Sequence, residues 1–277
     1  MDMNRRQMIK RTGWAALGFT GLGIGFCGCR SAPLTGRKQL MLVPEGQEIT
    51  LGATAFQETI GSEPLSQNQP ASEMLTRVGK RIAAVSGRSD YEWEFKLLAS
   101  PEQNAFCLPG GKVAFYEGIL PVCQDEAGLA VVMSHEVAHA LARHGGERMS
   151  QNMGVDGAKM VIERVAQSRL PDYSDRILQA YGAASKYGVL LPYSRKQESE
   201  ADHIGLMLMA EAGYDPKVAP AFWQRFGSLK EGEQQSEFLS THPTDARRAE
   251  DLMALMNQAN SIYSKATTQY GNGERIS

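Results

Sequence analysis

Cysteine is scarce in this chain, with four in 277 residues, and two of them, Cys27 and Cys29, lie close to the N-terminus. Cys107 and Cys123 remain, and sequence alone leaves open whether they lie close enough to close a short loop as a disulfide. No long hydrophobic run is present. The longest apolar stretch, residues 12–26, is rich in glycine and falls short of the roughly 20 residues that a membrane-spanning helix needs. Neither charge sign dominates, with 29 basic and 31 acidic residues, so the basic face that nucleic acid requires is missing. No internal repeat is found, which excludes a helical repeat module for partner binding.

What is present begins with an export signal. Asn4-Arg5-Arg6-Gln7-Met8-Ile9-Lys10 resembles the twin-arginine motif that precedes a short hydrophobic region, and Phe26-Cys27-Gly28-Cys29 resembles a bacterial lipobox. Cleavage there makes Cys29 the lipid-modified first residue, tethering a water-soluble domain to a membrane, with an uncleaved anchor as the alternative. Arg30 supplies no inner-membrane retention aspartate, so the expected address is a periplasmic lipoprotein of the outer membrane. Removing residues 1–28 leaves 249 positions and a net charge of −5 with histidines neutral, enough chain for one sizeable core. The expected divisions are a signal at 1–28, a tether at 29–45, a catalytic domain at 46–256 and a polar tail, frayed from a last helix, at 257–277.

The chemistry concentrates in His135-Glu136-Val137-Ala138-His139. On a helix, positions four apart share a face, so both imidazoles can reach one ion while Glu136 stands beside a metal-bound water. Acids at Asp125 and Glu126, an arginine at 143 and Gly145-Gly146 beyond it are helix start and stop signals, and the apolar residues between predict a core helix. A second helix is predicted from Ser194, an N-cap with Gln197 three residues on. It offers Glu198 as a third ligand of one zinc ion and Asp202, one turn on, to take the spare ring N–H of a ligating histidine. Glu200 points roughly 160° away and reads as solvated or structural.

Together the two motifs resemble the Ste/Oma zinc endopeptidases, metallopeptidase family forty-eight. The resemblance runs from about Pro33 to Leu255. Further matches are Thr35-Gly36-Arg37-Lys38-Gln39-Leu40, Asn104-Ala105-Phe106, Leu108-Pro109-Gly110-Gly111, and Thr241-His242-Pro243 with Arg248. The departure is Cys107, where the family has no fixed cysteine. The resemblance implies a mainly helical α+β, zincin-like fold with His135, His139 and Glu198 as zinc ligands. It also implies Glu136 as general base and His242 as a catalytic donor to the tetrahedral intermediate. Arg248 would orient His242 or bind substrate carbonyls.

Lys112-Val113-Ala114-Phe115-Tyr116, after the glycine turn, is β-prone and partly alternating. It reads as an edge strand beside the cleft, with Gly111, Lys112, Val113 and Ala114 binding an extended substrate through the backbone. Asn104 would pin the preceding loop or touch substrate. Helices are predicted over 47–60, 71–86, 155–166 and 175–187, the last two as a cover for the cleft, and a strand over 91–98. The expected function is zinc-dependent cleavage of unfolded or misfolded envelope polypeptides in protein quality control. The alternative is a chaperone or binding lipoprotein using the same cleft without cutting.

Overall fold

The computed structural model describes residues 29–154, 194–228, 238, 241–242 and 247–276. The signal-like residues, the two segments expected to cover the cleft, and Pro243 lie outside them. The architecture is mainly helical, with two small sheets.

Two buried helices carry the site. The first, Glu126–Leu141, is buried at every residue, because alanine, valine, leucine and methionine surround its axis rather than forming one stripe. Asp125 caps it, its side chain accepting the Gly128 N–H at 2.9 Å. The second, Arg195–Glu211, opens with a capping box in which Ser194 Oγ accepts from Gln197 N–H and Gln197 Oε1 accepts from Ser194 N–H. They meet at Gly205, where a Cβ would stand only 3.1 Å from the backbone of Ser134 and His135. Glycine therefore sets how closely the two helices approach at the first histidine. The helix stop signal works differently from expectation. The helix ends at Leu141, Arg143 takes a positive φ of 54°, and a new helix starts at residue 144 with both glycines inside it.

Around this pair stand α1 (Glu45–Ser62) and α2 (Gln69–Val85), within about a turn of the predicted spans, and the helices Val218–Ser228, Arg248–Ala254 and Met256–Tyr263. The main sheet comprises β3 (Glu94–Leu98), β4 (Ala105–Leu108) and β5 (Lys112–Tyr116) in the order β3-β5-β4. The expected edge strand, Lys112–Tyr116, is thus the central one. It pairs in parallel with β3 and antiparallel with β4, and its residues from Val113 to Phe115 are fully buried. The reason is legible in hindsight: after Lys112 the strand is a continuous apolar run, the pattern of a strand covered on both faces, and its alternation is incidental. Gly110 and Gly111 take φ of 90° and 85° in the turn, and a Cβ on Gly111 would meet the Trp93 ring at 2.9 Å. Gly111, Lys112, Val113 and Ala114 therefore build the sheet and offer no free edge. The edge toward the first buried helix is β4.

Both ends of the domain depart from expectation. The segment 29–45 is no free tether. β1 (Cys29–Ser31) pairs antiparallel with β2 (Lys38–Leu40), Cys29 opposite Leu40, and Gln39, Met41 and Val43 are buried in alternation with exposed neighbours. Gln39 Nε2 donates to Ala142 O at 2.7 Å, and Leu42 N–H donates to Ser150 Oγ at 2.8 Å, so the segment is a strap on the domain. The tail is equally fixed. Carbonyls of Glu274 and Asn272 accept the N–H groups of Glu126 and Ala127, two donors that a helix start leaves without partners. Arg81 lies 3.5 Å over the Tyr270 ring. Cys107 and Cys123 are both free and buried. No helix among the described residues is long and apolar enough to cross a membrane.

Ending the chain after Lys265 removes those two capping bonds and the Arg81–Tyr270 contact. The domain should lose about 3 kcal/mol of stability, read from urea unfolding of the metal-free protein. A loss below about 0.5 kcal/mol would mean that the tail lies passively on the surface.

Candidate metal centre

Helix periodicity brings His135 and His139 to one face, and the crossing at Gly205 brings Glu198 opposite them. His139 Nε2 lies 3.1 Å from His135 Nε2; the Glu198 carboxylate lies 3.4 Å from His135 Nε2 and 3.3 Å from His139 Nε2. Bonds of about 2 Å to a common ion span such separations. The residue that sequence reading reserved for transition-state chemistry, His242, stands among the ligands. Its Nδ1 lies 3.1 Å from Glu198 Oε1 and 3.4 Å from His135 Nε2. One ligand atom from each of His135, His139, Glu198 and His242 falls within 4.8 Å of all the others, and all four residues are buried. Phe238 stacks on the His242 ring at 4.3 Å between centroids, and its carbonyl accepts the His242 N–H at 2.7 Å.

The residues fit a divalent cation on two counts. Three imidazole nitrogens and a carboxylate are the donor set zinc prefers. Glu198 Oε2 and Glu136 Oε1 are buried oxygens with no hydrogen-bond partner among the described residues, a cost that a cation and the molecules it orders would remove. Glu136 Oε1 is 3.5 Å from His242 Nε2, so the base sits at the edge of the cluster. Burial pushes the Glu136 carboxyl up from its ordinary value. Burial would do the same to Glu198, but hydrogen bonds from His135, His139 and His242 outweigh it and hold that carboxyl well below the usual range. Burial drives His139 well below an ordinary histidine, which keeps its lone pair available.

Supporting contacts surround each ligand. Asp202 Oδ1 is 3.1 Å from His135 Nδ1 and also accepts from Arg248 Nη2 at 2.7 Å. Arg248 completes a bidentate pair through Nε to Asp202 Oδ2 at 2.7 Å, reaches Glu198 Oε2 at 3.3 Å and lies 3.7 Å over the Trp223 ring. It thus holds Asp202 and Glu198, where the expectation was His242 or substrate carbonyls. Asn104 Oδ1 accepts the Ala105 N–H at 2.9 Å, the loop-pinning contact of its two expected roles.

One layer escaped the sequence reading. His144 Nδ1 is 2.8 Å from His139 Nδ1, and His144 Nε2 is 2.9 Å from Glu200 Oε2. Glu200, 5% exposed, is structural rather than solvated. It accepts from Thr35 Oγ1 and, at 2.8 Å, from Arg37 Nε. Arg37 makes two further bonds, of 2.6 and 2.7 Å, to Glu147. The signal available in advance was His144 directly after a helix stop, five residues beyond the second histidine.

Burial raises Glu200, but bonds from His144, Arg37 and Thr35 outweigh it and bring the carboxyl to about 2. A carboxyl lowered on folding stabilises the native state above its unfolded pKa, near 4.3, and that contribution is lost as pH falls toward 2. Unfolding midpoints measured in chelator should fall between pH 4.5 and 2, with this group adding a slope of up to about 1.4 kcal/mol per pH unit. Glu200→Gln should be less stable at pH 6 and flatter through that window; an unchanged slope would remove Glu200 as the cause.

Comparison with known proteins places this geometry in a family. The model of peptidase family M48 matches residues 70–256. The chain is 38% identical over 232 residues to mitochondrial metalloendopeptidase OMA1 of Schizosaccharomyces pombe, covering 82% of this chain and 66% of that one. It is 30% identical over 275 residues to the mitochondrial metalloendopeptidase OMA1 of Homo sapiens, covering 93% and 52%. With the beta-barrel assembly-enhancing protease of Escherichia coli it shares 25% over 222 residues, covering 77% and 44%. These matches span 44% to 66% of the length of those relatives.

Proposed function

Because the chain belongs to peptidase family M48, we propose that it is a zinc-dependent endopeptidase acting on unfolded or misassembled cell-envelope proteins, held at a membrane by lipid on Cys29. The observation that carries this reading is the convergence of His135, His139 and Glu198 with Glu136 at their margin. Zinc held by His135, His139 and Glu198 would supply Lewis acidity, bringing the pKa of water toward 7 and polarising a scissile carbonyl.

The side chains do the rest. Glu136 Oε1, buried with no hydrogen-bond partner among the described residues, takes a proton from the attacking water and passes it to the leaving nitrogen. Burial, which lifts its pKa, makes both transfers easier near neutral pH. His242 Nε2 is the donor for the developing oxyanion, and Phe238 keeps its ring in plane. In the observed conformation the ring spans Glu198 and Glu136, so a substrate carbonyl enters as His242 moves aside. Asp202 and Arg248 hold His135 and Glu198.

Among the described residues no strand pairs with the outer edge of β4, and that edge suits an extended peptide. Tyr116 N–H donates to Asn104 O, so the alternation of an antiparallel ladder turns the N–H and C=O groups of Cys107 and the C=O of Ala105 outward, the Ala105 N–H being taken by Asn104 Oδ1. Recognition through backbone groups tolerates many side chains and selects chains loose enough to lie flat, which favours unfolded clients. The twin-arginine-like motif and the lipobox ending at Cys29 support export and outer-membrane lipidation. The relative named as a beta-barrel assembly-enhancing protease supports envelope clients. With the strap already folded at Cys29, a lipid there would hold the domain close to the bilayer.

The purified protein should degrade casein, lose activity to a chelator and regain it with zinc. Glu136→Gln should lower kcat by about 10²–10⁴ while zinc content stays the same. A variant that cuts as fast as wild type removes Glu136 as the base. A protein that retains clients without cutting them favours the binding alternative. A labelled fatty acid should attach in cells to the wild type and not to Cys29→Ser.

A further inference from the structure

We propose that His144, Glu200 and Arg37 are positioning residues that fix the ring orientation and tautomer of His139, making the N-terminal strap a working part of the metal centre. The proposal rests on reading His139 as a zinc ligand.

The proton inventory admits one arrangement. His139 Nε2 faces the cluster, 3.1 Å from His135 Nε2 and 3.3 Å from Glu198 Oε1, so a ligating His139 keeps that lone pair free and carries its proton on Nδ1. Nδ1 is 2.8 Å from His144 Nδ1, which must therefore accept. The proton of a neutral His144 then sits on Nε2, 2.9 Å from Glu200 Oε2, where a carboxylate accepts it. The other neutral tautomer would set two N–H groups against each other and leave Glu200 without this donor.

Beyond Glu200 the chain of contacts reaches the strap. Arg37 binds Glu200 through Nε at 2.8 Å and Nη2 at 2.7 Å, and binds Glu147 with both terminal nitrogens. Glu147 is in turn held by Gln197 Nε2 at 2.8 Å and Gln39 Nε2 at 3.1 Å. His144 is fully buried, and Glu147 and Glu200 are 2% and 5% exposed. Bonds this dry lock the rotamers of the groups they join. A ligating histidine held by its second nitrogen loses 10–100-fold in metal affinity when that partner is removed.

Two variants separate positioning from mere support. In His144→Asn, Oδ1 takes the place of Nδ1 and still accepts from His139; in His144→Gln, the amide reaches Glu200 and does not replace the Nδ1 acceptor. Zinc Kd by chelator competition should rise about 10–100-fold for His144→Gln and for His144→Leu, with most of the loss recovered in His144→Asn. Melting of the metal-free proteins in chelator should not separate Asn from Gln. Arg37→Gln should weaken zinc binding in the same direction by less.

Equal zinc affinity in the Gln, Asn and wild-type proteins, with changed melting only, would overturn the relay and leave a structural network. An unmoved Kd in Arg37→Gln would overturn the part given to the strap. If wild type binds no zinc, or His139→Ala binds it as tightly, the zinc reading itself has failed and the relay falls with it.

Discussion

The centre of this protein depends on buried negative charge that a divalent cation would balance. Glu136, Glu198 and Asp202 are 3%, 2% and 6% exposed, and among the described groups in contact with them Arg248 is the one buried arginine. Ionised, these four side chains sum to −2, a state too costly to keep in a dry helix crossing. An ion of charge +2 brings the sum to zero. The same preference for positive charge acts on His135: although burial favours its neutral form, Asp202 and Glu198 outweigh it and raise that histidine to about 9.

Such a site demands rigidity, and the fold supplies it from several directions. The two ligand helices touch backbone to backbone at Gly205, which fixes the separation of Glu198 from His135. Tail carbonyls close the start of the first helix, and a turn at Arg143, held through Nε to Glu48 at 3.1 Å, closes its end. The strap ties the following helix and the second ligand helix together through Arg37 and Gln39. None of these contacts touches a ligand atom, yet each removes a way for the ligands to drift apart.

Sequence showed what is local. The helix spacing of His135 and His139, the cap at Ser194 and the one-turn offset from Glu198 to Asp202 are properties of single helices, and the structure brings those residues together. Pairing in the sheet was not legible, because a lysine and four apolar residues after a glycine turn read equally as an edge or a centre, and only the partners on each side decide. The strap read as a tether and the tail as a polar end because the hydrogen bonds that fix them go to distant backbone or to charged groups. Composition flags exposed polarity and carries no sign of a buried ion pair. His144 and Glu200 were missed for the same reason: each looks ordinary alone, and their meaning lies in a 2.9 Å contact across 56 positions.

The two histidines proposed to hold the ion differ in how they are held, and the difference has a physical logic. His135 meets a carboxylate directly, with Arg248 behind it; His139 meets a neutral imidazole, with Glu200 and then Arg37 behind. Both chains end on an arginine, which takes part of the carboxylate's charge and fixes its plane. Two carboxylates in direct contact with adjacent ligands would add more negative charge to a site already at −2 before metal. Interposing His144 keeps the orienting hydrogen bond while moving the second carboxylate one ring further from the ion. The charge near His139 is thereby spared, and the outer arginine can come from the strap rather than from the core.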